Sequence, residues 1–579
     1  EQHYLPVLSD EEQVTNTVPF TQHEPGVRTI DLKQLFPKDG RDRKLTVEYT
    51  NNPAWLMIQA LPYISNVRDD DAISLATAYY ANSISAYIMN QSPRIKSVFD
   101  RWKLEAGGGS MMSGLEKNQE LKNIVLDETP WVNDADMEAG QKQMLANYFD
   151  QSVLENRLAQ TLDKLRRLQS SADGSWCWWP GMRYGSPSLT ANIVETLVRL
   201  DKMIGNGSTT KQMTDKGLKF LGDIVVKEVE DMKKSEKEGH PYVFVWDNAV
   251  RYLYICTLSG RKMSAEESAA ADFLLGKLKT NNVGLSLYHK ALMAVVMAGR
   301  GDMQLAREYV RSLDEYTVSS EEMGRYYDAP RAAYSWFDYK IPTQVAAIEA
   351  MRLVDADGYA GTVEEMKRWL LMQKRVQGWN TPINSVNAVY AFLEGGIGVL
   401  ENRAEATISV DGRPLELPEA TAGLGYVKTT VNGDKAGTFT VSKPSDGTSW
   451  GAVYARSVQK VSSVAPSSAG LSVTRELVDA DGKPVTALRV GDRVRVRITI
   501  MADRDYDYVQ VKDKRAACME PVTQLSGYRN GCYCSAKDNA TYYYFDRMGK
   551  GRHVIETEYY ADRAGVYETG ICTAVCAYS

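Results

Sequence analysis

The sequence predicts a multidomain chain of mixed α and β class: an α/α toroid inserted into a β domain built from both flanks, followed by a β-sandwich. Three observations predict it. Residues up to about 50 alternate as strands, the apolar spacing turns helical from Pro53 to about Gly396, and the strand period returns after Gly396. At 579 residues the chain exceeds what one core supports, and about four domain-sized units are expected.

In the N-terminal flank, Leu45, Val47 and Tyr49 alternate with Thr46, Glu48 and Thr50, the period of a strand with one buried face. In the helical block, Leu154, Leu158, Leu162, Leu165 and Leu168 share a face, opposite Asp163, Lys164 and Arg167. Roughly 340 residues of this kind predict about a dozen helices. The block also repeats itself. Leu168-Gln169 leads through Gly174-Ser-Trp176 to Ser186-Pro187, and Met372-Gln373 leads through Gly378-Trp379 to Thr381-Pro382. In both copies Ser or Thr supplies a capping oxygen and Pro takes the first helical position, where its missing N–H costs nothing. Stacked helix pairs closing into a toroid follow from that recurrence.

Beyond the helices, 404–410 and 413–417 read as strands joined by a tight Asp411-Gly412 turn. A polar linker over 462–470 precedes the last unit, where Val494, Val496, Ile498 and Ile500 alternate with Arg493, Arg495, Arg497 and Thr499. Strands over 506–512, 541–545, 553–560 and 570–578 complete an antiparallel sandwich.

Composition excludes several classes of function. Lys plus Arg number 68 against 74 Asp plus Glu, and the net charge of -6 is dispersed, which argues against nucleic acid and anionic lipid as partners. Apolar runs such as 291–298 are too short to cross a bilayer. The chain opens at Glu1 without the regions of a signal peptide and reads as an excised fragment. Seven cysteines are an odd number, so at least one is free or pairs with another chain. The Cys532-Tyr-Cys534 and Cys572-Thr-Ala-Val-Cys576 spacings fit no zinc pattern, so structural or free thiols are expected. The glycine-rich stretch 107–110 is expected as a mobile loop.

Three constellations invite a chemical reading, and each has a plainer one. Asp69-Asp70-Asp71 offers acids of the kind with which toroidal terpene cyclases bind or protonate substrate, but its place just before a helix over 72–87 predicts a cap and first-turn charges. His240 or His289 with Cys177 or Cys256 offers a zinc site of the prenyltransferase type, whereas isolated histidines are usually satisfied structural side chains. His3, His23 and His553 lie outside the helical block. Trp176, Trp178 and Trp179 offer a stacking surface for sugars, whereas tryptophans beside a glycine turn commonly pack the rim of a helical core. No nucleophile elbow, zincin, Walker or dinucleotide motif stands in a fitting context, so no catalytic, metal or cofactor site is expected.

Asn52-Pro-Ala-Trp55, Gln59-Ala-Leu-Pro-Tyr63, Tyr79-Tyr-Ala-Asn82, and Val509-Gln-Val-Lys-Asp513 followed by Arg515-Ala-Ala-Cys-Met-Glu-Pro521 resemble the bacterial alpha-2-macroglobulin family along nearly the whole chain. The resemblance implies a thioester-type helical domain over 53–396 and a CUB-like β domain made of 1–50 and 401–462. It implies a macroglobulin-like β-sandwich over 470–579. In members that capture covalently, a Cys-x-Glu-Gln thioester lies between the second and third motifs. Here the Cys falls on Asp71, the Glu on Ile73 and the Gln on Ser74, leaving neither sulfur nor acyl group. The resemblance therefore implies an endopeptidase inhibitor that traps sterically, as a monomer, in the periplasm or cell envelope, with the bait segment and any lipid anchor upstream. The competing readings are a periplasmic scaffold that binds other cell-envelope proteins, and, more remotely, an α/α-toroid enzyme.

Overall fold

A computed structural model describes residues 10–22, 24–51, 54–67, 69–93, 95–97, 99–100, 144–205, 207–240, 247–280, 285–320, 323–328, 340–374, 378–395, 406–415, 426–445, 448–466, 468, 470–529, 531–537 and 540–576. His3, His23, Asn52-Pro53 and the 107–110 stretch lie outside them.

Strands β1 (Glu11–Gln22), β2 (Gly26–Asp31) and β3 (Arg41–Thr50) open the chain. After the helical block come β6 (Thr407–Val410), β7 (Arg413–Pro414), β8 (Tyr426–Asn432), β9 (Thr438–Lys443) and β10 (Ser449–Lys460); the intervening β4 (Val318–Ser320) and β5 (Gly324–Tyr326) form a small hairpin among the helices. The two flanks interleave: one sheet runs β1-β10-β3-β8 and the other β2-β9-β6-β7. Leu45, Val47 and Tyr49 of β3 turn inward with Phe20, Phe439, Val441 and Val453, but Thr46 and Thr50 on the other face are buried too, so β3 is covered on both sides rather than half-buried as the alternation predicts. Asp411 and Gly412 sit at φ +51° and +73°, both in the left-handed region, as a two-residue hairpin between β6 and β7 requires.

Between the flanks the described residues form two short helices, α1 (Trp55–Ile58) and α2 (Leu61–Ile64), and eleven longer ones. These are α3 (Ala72–Gln91), α4 (Gln151–Arg167), α5 (Pro187–Ile204), α6 (Gly207–Lys237), α7 (Asp247–Ser259), α8 (Ala265–Thr280), α9 (Leu287–Gly299), α10 (Met303–Glu315), α11 (Lys340–Asp355), α12 (Ala360–Met372) and α13 (Pro382–Leu393). Helix α3 packs on α5, α5 on α7, α7 on α9, α9 on α11, α11 on α13, and α13 returns to α3. The even-numbered helices from α4 on pack beside this series: α4 against α3, α6 against α5 and α7, α8 against α6, α10 against α9 and α11, and α12 against α11 and α13. The inner helices are apolar nearly all round, as helices covered on both sides must be; Ala291 to Met297 of α9 are all buried.

The last unit contains β11 (Leu471–Val478), β12 (Arg493–Ala502), β13 (Tyr506–Lys514), β14 (Met519–Pro521), β15 (Gly527–Arg529), β16 (Cys532–Ala536), β17 (Ala540–Met548), β18 (Gly551–Ala561) and β19 (Cys572–Cys576). Its two sheets, β11-β12-β18-β14 and β15-β16-β17-β13-β19, face each other across Val494, Val496, Ile498 and Ile500 on one side and Val509, Val511 and Tyr543 on the other. All seven cysteines are free thiols. Among the described residues, contacts between the units include Lys514 of β13 with Glu12 of β1 at 2.6 Å, and Trp450 of β10 edge-on to Phe392 of α13 at 6.2 Å.

Candidate functional site

The N-terminus of α3 holds the three positions that the resemblance singled out. Asp71 stands at the cap in extended conformation, and its Oδ1 accepts hydrogen bonds from the Ile73 and Ser74 amides, each at 2.9 Å. Its Oδ2 accepts from the Ser74 hydroxyl. The carboxylate is therefore committed to the free N–H groups of the first turn, where its charge also opposes the helix dipole. Ile73 and Ser74 supply no further chemistry. Of its neighbours, Asp70 pairs with Lys164 of α4 at 2.7 Å. The capping reading of the acidic triplet thus holds at Asp71.

A second segment reaches this helix end. The Ala72 amide donates to the Trp178 carbonyl at 3.1 Å, which places the 177–185 loop beside the cap. The preceding residue, Cys177, is buried; its thiol donates to the Met182 carbonyl at 3.5 Å, and burial, with the charge of Asp173, pushes its pKa up. Both effects favour the protonated thiol over the thiolate. The three tryptophans part company. Trp176 is wholly buried, with Nε1 donating to the Leu165 carbonyl at 3.1 Å, while Trp178 and Trp179 are exposed. The second copy of the repeat reproduces the first in detail: Trp379 is buried and donates from Nε1 to the Leu370 carbonyl at 2.8 Å. The Trp176 amide donates to Thr190 Oγ1 and the Trp379 amide to Ser385 Oγ, each hydroxyl four residues beyond its cap.

The histidine and cysteine candidates do not converge. His289 of α9 meets Asp247 of α7 at 2.7 Å; burial raises the Asp247 pKa, but the His289 hydrogen bond and the Arg251 charge outweigh it and hold the carboxyl below its usual range. Cys256 is buried, with its pKa pushed up to about 11 by burial. His240 is exposed at the end of α6, and His553 contacts the Gly549 carbonyl. Among the described residues, no group of three or more His, Cys, Asp or Glu side chains is placed to hold a metal ion.

The sequence reading missed a polar axis inside the helices. Arg199 of α5 pairs with Glu195 at 2.7 Å and lies 3.7 Å from Glu349 of α11, and it donates to Asn387 of α13 and to the Tyr254 hydroxyl of α7. Arg251 of α7 donates to Glu195 at 2.6 Å and to Asn192 at 2.8 Å. Tyr254 and Tyr390 both donate to Glu349. All are buried but Asn192, which is half-buried. Burial pushes Glu195 up, yet the charges of Arg199 and Arg251 prevail, and its pKa is lowered. The available signal was Glu195 and Arg199, four residues apart, inside the apolar run Ile193-Val194, Leu197-Val198 and Leu200.

Residues 470–579 match the family model described as the bacterial alpha-2-macroglobulin MG10 domain. Over those residues the chain is similar to that domain. Solved structures similar to the chain include native Escherichia coli alpha-2-macroglobulin spanning domain MG7 to the C-terminus (13% identity, 98% of this chain and 80% of that one, TM-score 0.38). Two others are native Escherichia coli alpha-2-macroglobulin (12%, 98% and 32%, TM-score 0.39) and the trypsin-activated Escherichia coli protein (12%, 97% and 35%, TM-score 0.44). The chain thus spans about a third of the length of these two alpha-2-macroglobulins. No curated protein sequence matches it.

Proposed function

We propose that this chain is the C-terminal part of an alpha-2-macroglobulin-type endopeptidase inhibitor that encloses its target sterically, without covalent capture. The observation that carries the reading is the cap of α3. A thioester needs a cysteine sulfur and a glutamine acyl group three residues on. At those positions the chain has Asp71, whose carboxylate is spent on the helix amides, and Ser74, whose hydroxyl bonds back to it. The family resemblance then leaves a trap that works by domain rearrangement after a bait segment is cut, a metastable packing released by one cleavage.

On this reading, 53–396 is an α/α-toroid domain of thioester type that has lost its thioester, inserted into a CUB-like domain formed by 1–50 and 401–462. The sheets shared by both flanks and the return of α13 to α3 support it. The protein acts in the periplasm or cell envelope as a monomer, with endopeptidases as partners. The alternative, a scaffold for other envelope proteins that has lost trapping along with the thioester, draws on the same substitutions at Asp71 and Ser74. An enzyme is disfavoured, because the helical interior is occupied by paired side chains such as Arg199, Glu195 and Glu349.

Incubating the full-length protein with trypsin, and then measuring residual cleavage of a large protein and of a small peptide, separates these readings. Loss of large-substrate cleavage with peptide cleavage retained is the expected result. Both activities unchanged would overturn the inhibitor and leave the scaffold.

A further inference from the structure

Two buried thiols share one cavity in the C-terminal sandwich. Strand β16 alternates Cys532, Tyr533 and Cys534, so both cysteines point into the sandwich while Tyr533 faces out. They border a cavity of about 180 Å³, lined also by Thr523, Arg529, Tyr543 and Glu556. Its rim meets water, since Thr523 is exposed and Arg529 half-buried. Two of the oxygen groups around it are already committed: the Tyr543 hydroxyl to Thr557 Oγ1 at 2.6 Å, and the Glu556 carboxylate to Arg495 and Arg497. The Cys532 thiol donates to the Arg529 carbonyl at 3.4 Å, a weak bond that a stronger sulfur ligand displaces.

Buried free cysteines commonly serve as small apolar side chains. Packing alone does not account for this pair, because both border open volume and forfeit the contacts that a fitted aliphatic side chain would make. A disulfide between them is opposed by the strand. Side chains two residues apart on an extended strand stand about 6.6 Å from each other, beyond the roughly 3.5–4.5 Å between Cβ atoms that the bond requires. An ion between the sulfurs closes that gap: with metal–sulfur bonds of about 2.3 Å, a linear pair spans about 4.6 Å, which the side chains reach by leaning together. The ion cannot be zinc, which takes four ligands, for among the described residues no third His, Cys, Asp or Glu joins the pair. Thiolates select soft cations, and a monovalent d10 ion such as Cu(I) is satisfied by two of them. Its binding releases both S–H protons to water and leaves an S–Cu–S unit with one negative charge. Arg529 faces that charge. Burial raises both thiols, Cys532 to about 11 with Cys534 adding to the rise, and the Arg529 guanidinium pulls each the other way.

We propose that Cys532 and Cys534 form a two-coordinate site for a soft monovalent d10 cation of the Cu(I) type, with Arg529 balancing the charge of the bis-thiolate. The site lies wholly within the sandwich at 470–579 and stands whether the protein traps proteases or not. Cys518, Cys572 and Cys576 of the same sandwich do not line the cavity, which sets the pair apart from them.

The test titrates the reduced full-length protein anaerobically with the Cu(I)–bicinchoninate complex and compares it with Cys532→Ser/Cys534→Ser, whose fold is checked by circular dichroism. The expected result is one equivalent more copper withdrawn by the wild type, with X-ray absorption showing two sulfur neighbours for that equivalent. Arg529→Gln, at a half-buried position that leaves the core intact, should keep the stoichiometry and weaken the affinity about tenfold. Should the double variant fail to fold, the Arg529→Gln shift and the two-sulfur signature of the wild type decide the matter. Equal uptake by the wild type and the folded double variant, or three or more sulfur neighbours in the wild type, would overturn the site. An Arg529→Gln affinity equal to that of the wild type would overturn the charge balance assigned to Arg529. A wild type that takes no copper but yields a Cys532–Cys534 disulfide on mild oxidation, mapped by mass spectrometry, would overturn the metal assignment and leave the pair to redox chemistry.

Discussion

Arginine–glutamate pairs occur in two regions of this chain under opposite conditions. Inside the helical block, Arg199, Arg251, Glu195 and Glu349 are buried and reach one another from three helices, α5, α7 and α11. In the C-terminal sandwich, Arg495 and Arg497 pair with Glu556 across β12 and β18 at 3.0 and 2.6 Å, but on the outer, half-exposed face; the inner face of β12 is left to Val494, Val496, Ile498 and Ile500. The difference teaches where such a pair matters. Buried charges have lost their hydration, so each depends on partners from another helix. Half-exposed charges keep water as an alternative partner, and the sandwich stands on its aliphatic core.

The comparison is most exposed to failure at Arg199. Arg199→Met leaves Glu349 and Glu195 short of a partner inside the helical block and should destabilise that block by roughly 3–5 kcal/mol. All eleven tryptophans precede the MG10 domain at 470–579, so tryptophan fluorescence in a urea titration follows the helical block and its flanking strands separately from the sandwich. An unchanged midpoint would show the axis to be no more costly to break than a surface pair.

Acid should move the two regions in opposite directions. The lowered pKa of Glu195 means its stabilisation is present above the ordinary glutamate value and is lost as pH falls through the folded-state value. In the sandwich, burial raises the pKa of Asp513 despite the opposing charge of Arg475, so its contribution is present below the ordinary aspartate value and is lost as pH rises through the raised one. Scanning calorimetry from neutral pH down to about pH 3 should therefore show the helical transition moving down relative to that of the sandwich. Asp513→Asn and Glu195→Gln should each remove their own share of that divergence.

The smallest effect belongs to the exposed pairs. Glu556→Gln, which weakens the contacts with both Arg495 and Arg497, should cost less than about 1 kcal/mol and fade with added salt. A loss as large as that of Arg199→Met, measured in the same urea titration by tyrosine emission, would erase the distinction between the two regions.

Local signals carried far in this chain. The alternation over Val494 to Ile500 marked the buried face of β12, because a strand with one face inside has only one register that hides its aliphatics. Ser186-Pro187 and Thr381-Pro382 marked two inner helix starts, and Asp411-Gly412 a hairpin, because caps and tight turns are decided by residues within one turn of each other. Asp71 was legible as a cap for the same reason. The separation of buried Trp176 from exposed Trp178 and Trp179 was not, since it depends on hydrogen bonds to Leu165, Leu168 and Ala72, which only the fold brings within reach.

By itself the sequence determined the order of strand and helix segments and the capped helix starts, Asp71 among them. Each of these depends on a residue and its near neighbours along the chain. The tertiary structure alone decided which charges share the helical axis and which loop stands out beside the α3 cap. Arg199 meets Asn387 188 positions away and Tyr254 55 positions away, and no local pattern encodes such a meeting; it exists only when separate helices converge and exclude the water that would otherwise solvate each group.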